Sequence, residues 1–206
     1  MNKTIWILSV LTMTRFLSLH AETPSYNRII LEFRPSYFYP ISSDFRDIFH
    51  DGGVNYQITG SFPVYKGLSV YGAVDYFSKS SHTGTFHNKT SLRLVPLTLG
   101  LKYFFPSLGA SIPVNFYLAG GMKYYFVHTH NNGTPGIVRQ TVNKNGMGGT
   151  VETGFITTFV KHLVLDIFAS YSFRTFGAPR PLTPAVEATG LNVSGLNIGL
   201  GLGYKF

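Results

Sequence analysis

The stretch GLNIGLGLGYKF, from Gly195 to Phe206, decides the fold. From Leu196 onward every second residue is apolar, ending on the rings of Tyr204 and Phe206, and the residues between are mostly glycine. Successive side chains of a strand point to opposite faces, so this is a strand with one greasy face and one nearly bare one. Leu196, Ile198, Leu200 and Leu202 form the first face, and Gly195, Gly199, Gly201 and Gly203 the second. The glycines leave room for bulkier neighbours such as Arg34 and Phe38 on the first strand, which must pair with this one if the sheet is to close on itself.

The same period-two pattern recurs along the chain. In VNYQITGSFPV, Val54, Tyr56, Ile58, Phe62 and Val64 lie on one side, with Asn55, Gln57, Thr59 and Ser61 on the other. Strands are expected over 27–39, 53–63, 68–78, 90–105, 113–127, 148–159, 163–174 and 194–206. These are longer than the 5 or 6 residues common in globular sheets and long enough for a tilted membrane crossing, which takes about 9–11. Eight is an even number, as single-chain bacterial barrels require. The 206 residues show no linker that would divide them, and only 13% are charged, against about 25% in an average soluble domain.

In the fourth strand, Leu92 and Leu94 share one parity, while Leu97, Leu99, Leu101, Tyr103 and Phe105 share the other. Proline inside a strand marks an edge or a bulge. A bulge at Val95–Pro96 would restore one apolar face; alternatively the strand begins at Leu97.

The N-terminus MNKTIWILSVLTMTRFLSLHA has a cationic start at Lys3 and an apolar run from Ile5 to Met13, followed by small or neutral residues up to Ala21. It is expected to be a secretory signal over 1–21, leaving one barrel domain over 22–206. A transmembrane anchor is the alternative, and Arg15 interrupts the long apolar stretch that an anchor needs. Without Lys3 and Arg15, 15 basic residues face 9 acidic ones, a net charge of +6. That balance suits acidic surroundings such as phosphorylated lipid, and an exported chain rarely meets nucleic acid. There is no cysteine, hence no disulfide or thiolate metal site, and no cofactor is expected.

Connections alternate in length. PVYKG, PSLGAS and VKH are tight, whereas YPISSDFRDIFHDGG, KSSHTGTFHN, HTHNNGTPGIVRQTVNKNGM and TFGAPRPLTPAVEATGLN are long. Short turns at one rim and long loops at the other are the pattern of outer-membrane barrels.

A soluble lipocalin-like barrel would also alternate, and the charges separate the two. Glu32, Arg34, Asp75, Lys102, Lys123, Glu152, Asp166, Arg174 and Lys205 lie on the polar face among small residues, while the apolar face holds only Arg93 near a loop. A solvated outer face would be studded with Lys and Glu; a near-balanced handful among small residues suits a narrow lumen in which ions must pair. Aromatics on the apolar face sort by height. Tyr37, Tyr39, Tyr56, Tyr76, Tyr124, Phe126, Tyr171 and Phe173 lie near the long loops, and Phe62, Tyr103, Phe105, Phe116, Phe159, Tyr204 and Phe206 near the short turns. Two such belts are expected where rings settle at head-group level on both sides of a bilayer.

On PVYKGLSVYGAVDYF, LVPLTLGLKYFF, NFYLAGGMKYYF and the terminal GLGLGYKF, the chain resembles the eight-stranded outer-membrane β-barrel superfamily that includes OmpX, OmpA-type and OmpW-like barrels. The resemblance covers essentially all of 22–206 and is closest to OmpW-like proteins in LVPLTLGLKYFF and GYKF. It implies an all-β, eight-stranded antiparallel up-and-down transmembrane barrel in the outer membrane. It also implies a narrow conduit for small, including apolar, solutes as one role. Tyr204 and Phe206 resemble the C-terminal signal read by the outer-membrane assembly machinery, which with periplasmic chaperones would be a partner.

An eight-stranded barrel is only wide enough for side chains to fill it, so a structural or surface-interaction role in a monomer is expected ahead of conduction, and no enzymatic activity. A lipid A-modifying enzyme is the distant third reading, from His128, His130, Ser78, Ser80 and Asp75; a His–x–Ser motif would need Ser where His130 stands. His128 and His130 could also begin a metal site, but no carboxylate or Cys spacing completes one. Lys79, Lys89, Arg139 and Lys144, in loops without acids, are candidates for contact with lipopolysaccharide phosphates. In SSDFRDIF, Phe45, Ile48 and Phe49 share one side of a helical turn capped by Ser42 or Ser43, either tucked under the loop or forming a lid over the barrel mouth.

Overall fold

The computed structural model describes residues 28–43, 45–46, 52–83, 88–106, 114–131, 140–160, 162–176 and 191–206. The expected signal over 1–21 lies outside them, as do Ile48 and Phe49. The chain forms β1 (Ile30–Pro40), β2 (Gly53–Tyr65), β3 (Leu68–Thr83), β4 (Asn88–Phe104), β5 (Val114–Asn131), β6 (Gln140–Val160) and β7 (Leu163–Phe173), then β8 (Thr175–Phe176), β9 (Leu191–Asn192) and β10 (Gly195–Lys205). Eight of these close a barrel in the order β1-β10-β7-β6-β5-β4-β3-β2, every pairing antiparallel, while β8 and β9 form a separate ribbon.

Closure runs through the stretch that decided the fold. Arg34 sits across from the glycine face of β10, between Glu32↔Gly203 and Ser36↔Gly199. A Cβ on Gly201 would lie 3.0 Å from Arg34 Cγ, and one on Gly195 would collide with the Phe38 ring. Glycine is needed there because the first strand fills the space with its own side chains. At the opposite rim, Gly67 turns β2 into β3 with φ of 76°, and its carbonyl accepts a hydrogen bond from Phe104 N–H at 2.7 Å. Only glycine adopts that φ without strain.

Outward positions hold exposed Leu, Ile and Val, with Tyr37, Tyr39, Tyr56, Tyr76, Tyr124, Phe126, Tyr171 and Phe173 toward the loop rim, and Phe62, Tyr103, Tyr204 and Phe206 toward the turn rim. Many of the rings pair, such as Tyr124 with Phe126 and Tyr204 with Phe206, their centroids 5.0 and 4.9 Å apart.

Two expectations differ. There is no bulge at Val95–Pro96: the register of β4 against β5 runs unbroken from Thr90↔Asn131 to Phe104↔Tyr117. Leu92 and Leu94 instead point into the lumen, and Arg93 points out. The two hairpins β3–β4 and β5–β6 also continue pairing above the aromatic belt, to Thr83↔Asn88 and Asn131↔Gln140, where long loops were expected. In a membrane barrel no lipid selects for apolar residues on the outside above the belt, which accounts for a period-two signal that fades there although the pairing does not.

Candidate functional site

The lumen is filled, in three layers. At its waist Arg34, fully buried, meets Glu152 at 2.9 Å and Asp166 at 3.0 Å, and donates to the Tyr117 hydroxyl at 2.9 Å. Its other nitrogen donates to Gln57 Oε1 at 2.8 Å, and Gln57 Nε2 donates to Asp75 Oδ1 at 2.7 Å. Asp75 pairs with Lys123 at 3.0 Å. Lys102, also fully buried, lies 3.7 Å from Glu152 and 3.8 Å from Glu32, with its ammonium 4.3 Å from the centre of the Tyr117 ring. The Arg34 guanidinium lies 3.7 Å from the centre of the Phe168 ring.

Seven of the nine expected lumen charges thus form one connected network: Glu32, Arg34, Asp75, Lys102, Lys123, Glu152 and Asp166. Gln57 and Tyr117 join its parts, roles that the sequence reading did not assign. The signal for them was inward parity combined with a long polar side chain among small residues. Arg174 follows the end of β7, half-buried, and donates to the Met147 carbonyl; Lys205 donates to Thr158 Oγ1 at 3.3 Å near the turn rim.

Apolar layers lie on both sides of the waist. Toward the turns are Ile30, Phe104, Ile156 and Val164. Toward the loops are Phe38, Phe77, Leu92, Leu94, Tyr125 and Val127, covered by Phe45, which is 0% exposed. Arg46 N–H donates to the Ser42 carbonyl at 3.2 Å, closing the turn that swings Phe45 inward against Phe38 and Phe77. Between mouth and waist there remains a cavity of about 30 Å³, lined by Phe38, Asn55, Asp75, Phe77, Lys123 and Tyr125 among others, the room of a single water.

Of the enzyme candidates with described side chains, Asp75 faces inward, whereas Ser78 and Ser80 on β3 and His128 on β5 face outward with β4 between them; the side chain of His130 lies outside the described residues. Two strand spacings are roughly 10 Å, beyond the ~3 Å that a nucleophile and its base require. Among the described residues no three His, Cys, Asp or Glu converge on a metal position. Of the lipopolysaccharide candidates, Lys79 donates to the Gly52 carbonyl at 2.7 Å and Lys144 sits half-buried in the inward register. The side chains of Lys89 and Arg139 lie outside the described residues.

A closed eight-stranded barrel with an apolar belt, two rings of aromatics and an ion-filled lumen has the fold of the small outer-membrane barrels. The structure is similar to the outer membrane protein OprG from Pseudomonas aeruginosa, with a TM-score of 0.61 at 15% identity over 87% of this chain and 96% of that one. It is also similar to Neisserial surface protein A, with a TM-score of 0.55 at 18% identity over 86% and 97%. A major outer membrane protein from Thermus thermophilus gives 0.54 at 14% identity over 87% and 98%. No family model and no curated protein matches the sequence.

Proposed function

We propose that this chain is exported by its N-terminal signal, inserted through the assembly signal at Tyr204 and Phe206, and resident in the outer membrane as a non-enzymatic barrel with a structural or surface-interaction role. The observation that carries this reading is the waist: Arg34, Lys102 and Asp166 are all 0% exposed and tied to side chains from across the barrel. An ion crossing the lumen would have to break buried pairs, each costly to separate. The similar proteins named for the outer membrane support the location. Planar-bilayer recording tests it: reconstituted protein is expected to give no conductance steps, and regular steps at physiological salt would overturn the closed-lumen reading.

One observation favours the narrow-conduit reading as a second: the mouth is walled by Phe38, Phe77, Leu94 and Val127, chemistry suited to an apolar solute. On that reading Phe45 is its lid. Uptake of an apolar dye by cells carrying Phe45→Ala, raised over wild type without ion conductance, would support it, and unchanged uptake would remove it.

A further inference from the structure

Above the belt, the outer wall of the barrel changes character. Cross-strand register sets Ser78 of β3 beside Arg93 of β4, Arg93 beside His128 of β5, and His128 beside Asn143 of β6. All four residues are exposed and share the outward parity, so they form one polar row around the wall. One register step below stand Val95, Phe126 and Asn145. Arg93, Val95, Phe126, His128, Asn143 and Asn145 line a concavity of about 310 Å³, at the small end of the ~300–1,000 Å³ of ligand sites.

We propose that this concavity binds the phosphoryl headgroup of an outer-leaflet lipid. Every charged or strongly donating group in it suits an anion. Arg93 brings five N–H donors in a planar fork that matches phosphate oxygens. No described carboxylate pairs with Arg93, and none lines the concavity. His128 Nδ1–H donates to Asn143 Oδ1 at 2.5 Å, which fixes both side chains and leaves the Asn143 amide NH₂ as a further donor. Asn145 supplies a second amide.

Position selects the source of the phosphate. The floor of the site is Val95 and Phe126, and the wall continues downward through Leu97 and Tyr124, all outward and Leu97, Tyr124 and Phe126 well exposed. A free anion has no use for that apolar continuation, whereas a phospholipid lays its acyl chains along it. Of the cations expected from the sequence, Lys79 and Lys144 turn inward, whereas Arg93 faces outward at this height. Ser78 and His128 are separated by β4, too far apart to act on each other as nucleophile and base.

The inference rests on the membrane location and is independent of whether the lumen conducts. The test uses the full barrel refolded into phosphatidylcholine vesicles containing either bis-phosphorylated lipid A or the same lipid stripped of its phosphates, with the heat-sensitive gel shift of a folded barrel as control for insertion. Failure to insert in either vesicle would refute the membrane reading itself. With insertion intact, native mass spectrometry is expected to show the phosphorylated lipid retained on wild type. Arg93→Gln should weaken retention about tenfold or more, the loss expected from one charge-assisted bond. Should Arg93→Gln fail to fold, Asn143→Asp, which puts a carboxylate beside the phosphate, is expected to abolish retention. Lys144→Gln, on the inward side, should leave it unchanged. Equal retention of the stripped lipid, equal competition by millimolar inorganic phosphate, or full retention by a folded Arg93 or Asn143 variant would each overturn the proposal.

Discussion

The waist and the mouth of the lumen are walled by the same inward register of the same strands, yet one is ionic and the other apolar. On β4, Lys102 and Thr98 face in at the waist while Leu99 and Leu101 face out; further toward the loops, Leu94 and Leu92 face in and Arg93 faces out. Alternation fixes which side each residue takes and says nothing of which side is apolar. Between the aromatic belts lipid demands an apolar outside. In an outer-membrane barrel the wall above them meets polar headgroups and water, and here the apolar residues turn inward at that height to close the mouth with Phe45. The sign of the pattern therefore inverts at the belt with no change in the strand.

The largest effect should come from the waist. Glu152→Gln removes the charge that both Arg34 and Lys102 approach, leaving two buried cations short of a partner. A loss of about 3–5 kcal/mol is expected by urea unfolding in vesicles, and a loss under ~1 kcal/mol would mean that water reaches the waist. Next, Gly201→Leu forces a side chain against Arg34 Cγ and Asp166 Cβ, which a Cβ alone would meet at 3.0 and 3.1 Å. The expected cost is about 1–3 kcal/mol. Phe45→Ala at the mouth should cost about 1.5–3 kcal/mol in the same assay, the burial of one large apolar side chain. It should leave bilayer conductance at baseline because the waist still closes the lumen; conductance steps would show that the mouth, not the waist, is the seal. The smallest effect on stability should be that of Phe206→Ala, about 0.5–1.5 kcal/mol, the worth of the ring pair it makes with Tyr204. Its outer-membrane level, measured by cell fractionation, should nonetheless fall if this ring is part of the assembly signal.

Much of this was legible because it is local. The β10 glycines, the two aromatic belts and the inward parity of the charges all follow from period two. The bulge expected at Pro96 came from assuming that one face stays apolar from rim to rim. Leu92 and Leu94 obey the same alternation as Leu97 and Leu99 and differ only in what lies outside them. Likewise Lys79 belongs not to a loop but to a strand that rises beyond the belt, and its register turns it inward to Gly52.

The sequence by itself determined the barrel, its closure of first strand on last, and the side on which each strand residue stands, since side-chain direction in a strand is set by the backbone two residues at a time. Only the tertiary structure decided which charges meet. Arg34 and Glu152 are 118 positions apart, and their contact depends on the stagger of strands from opposite walls. It also decided that Gln57 bridges the two halves of the network, that Phe45 closes the mouth, and that Ser78, Arg93, His128 and Asn143 align in one row. Those alignments depend on cross-strand register, which accumulates around the whole barrel and is written in no single stretch of the chain.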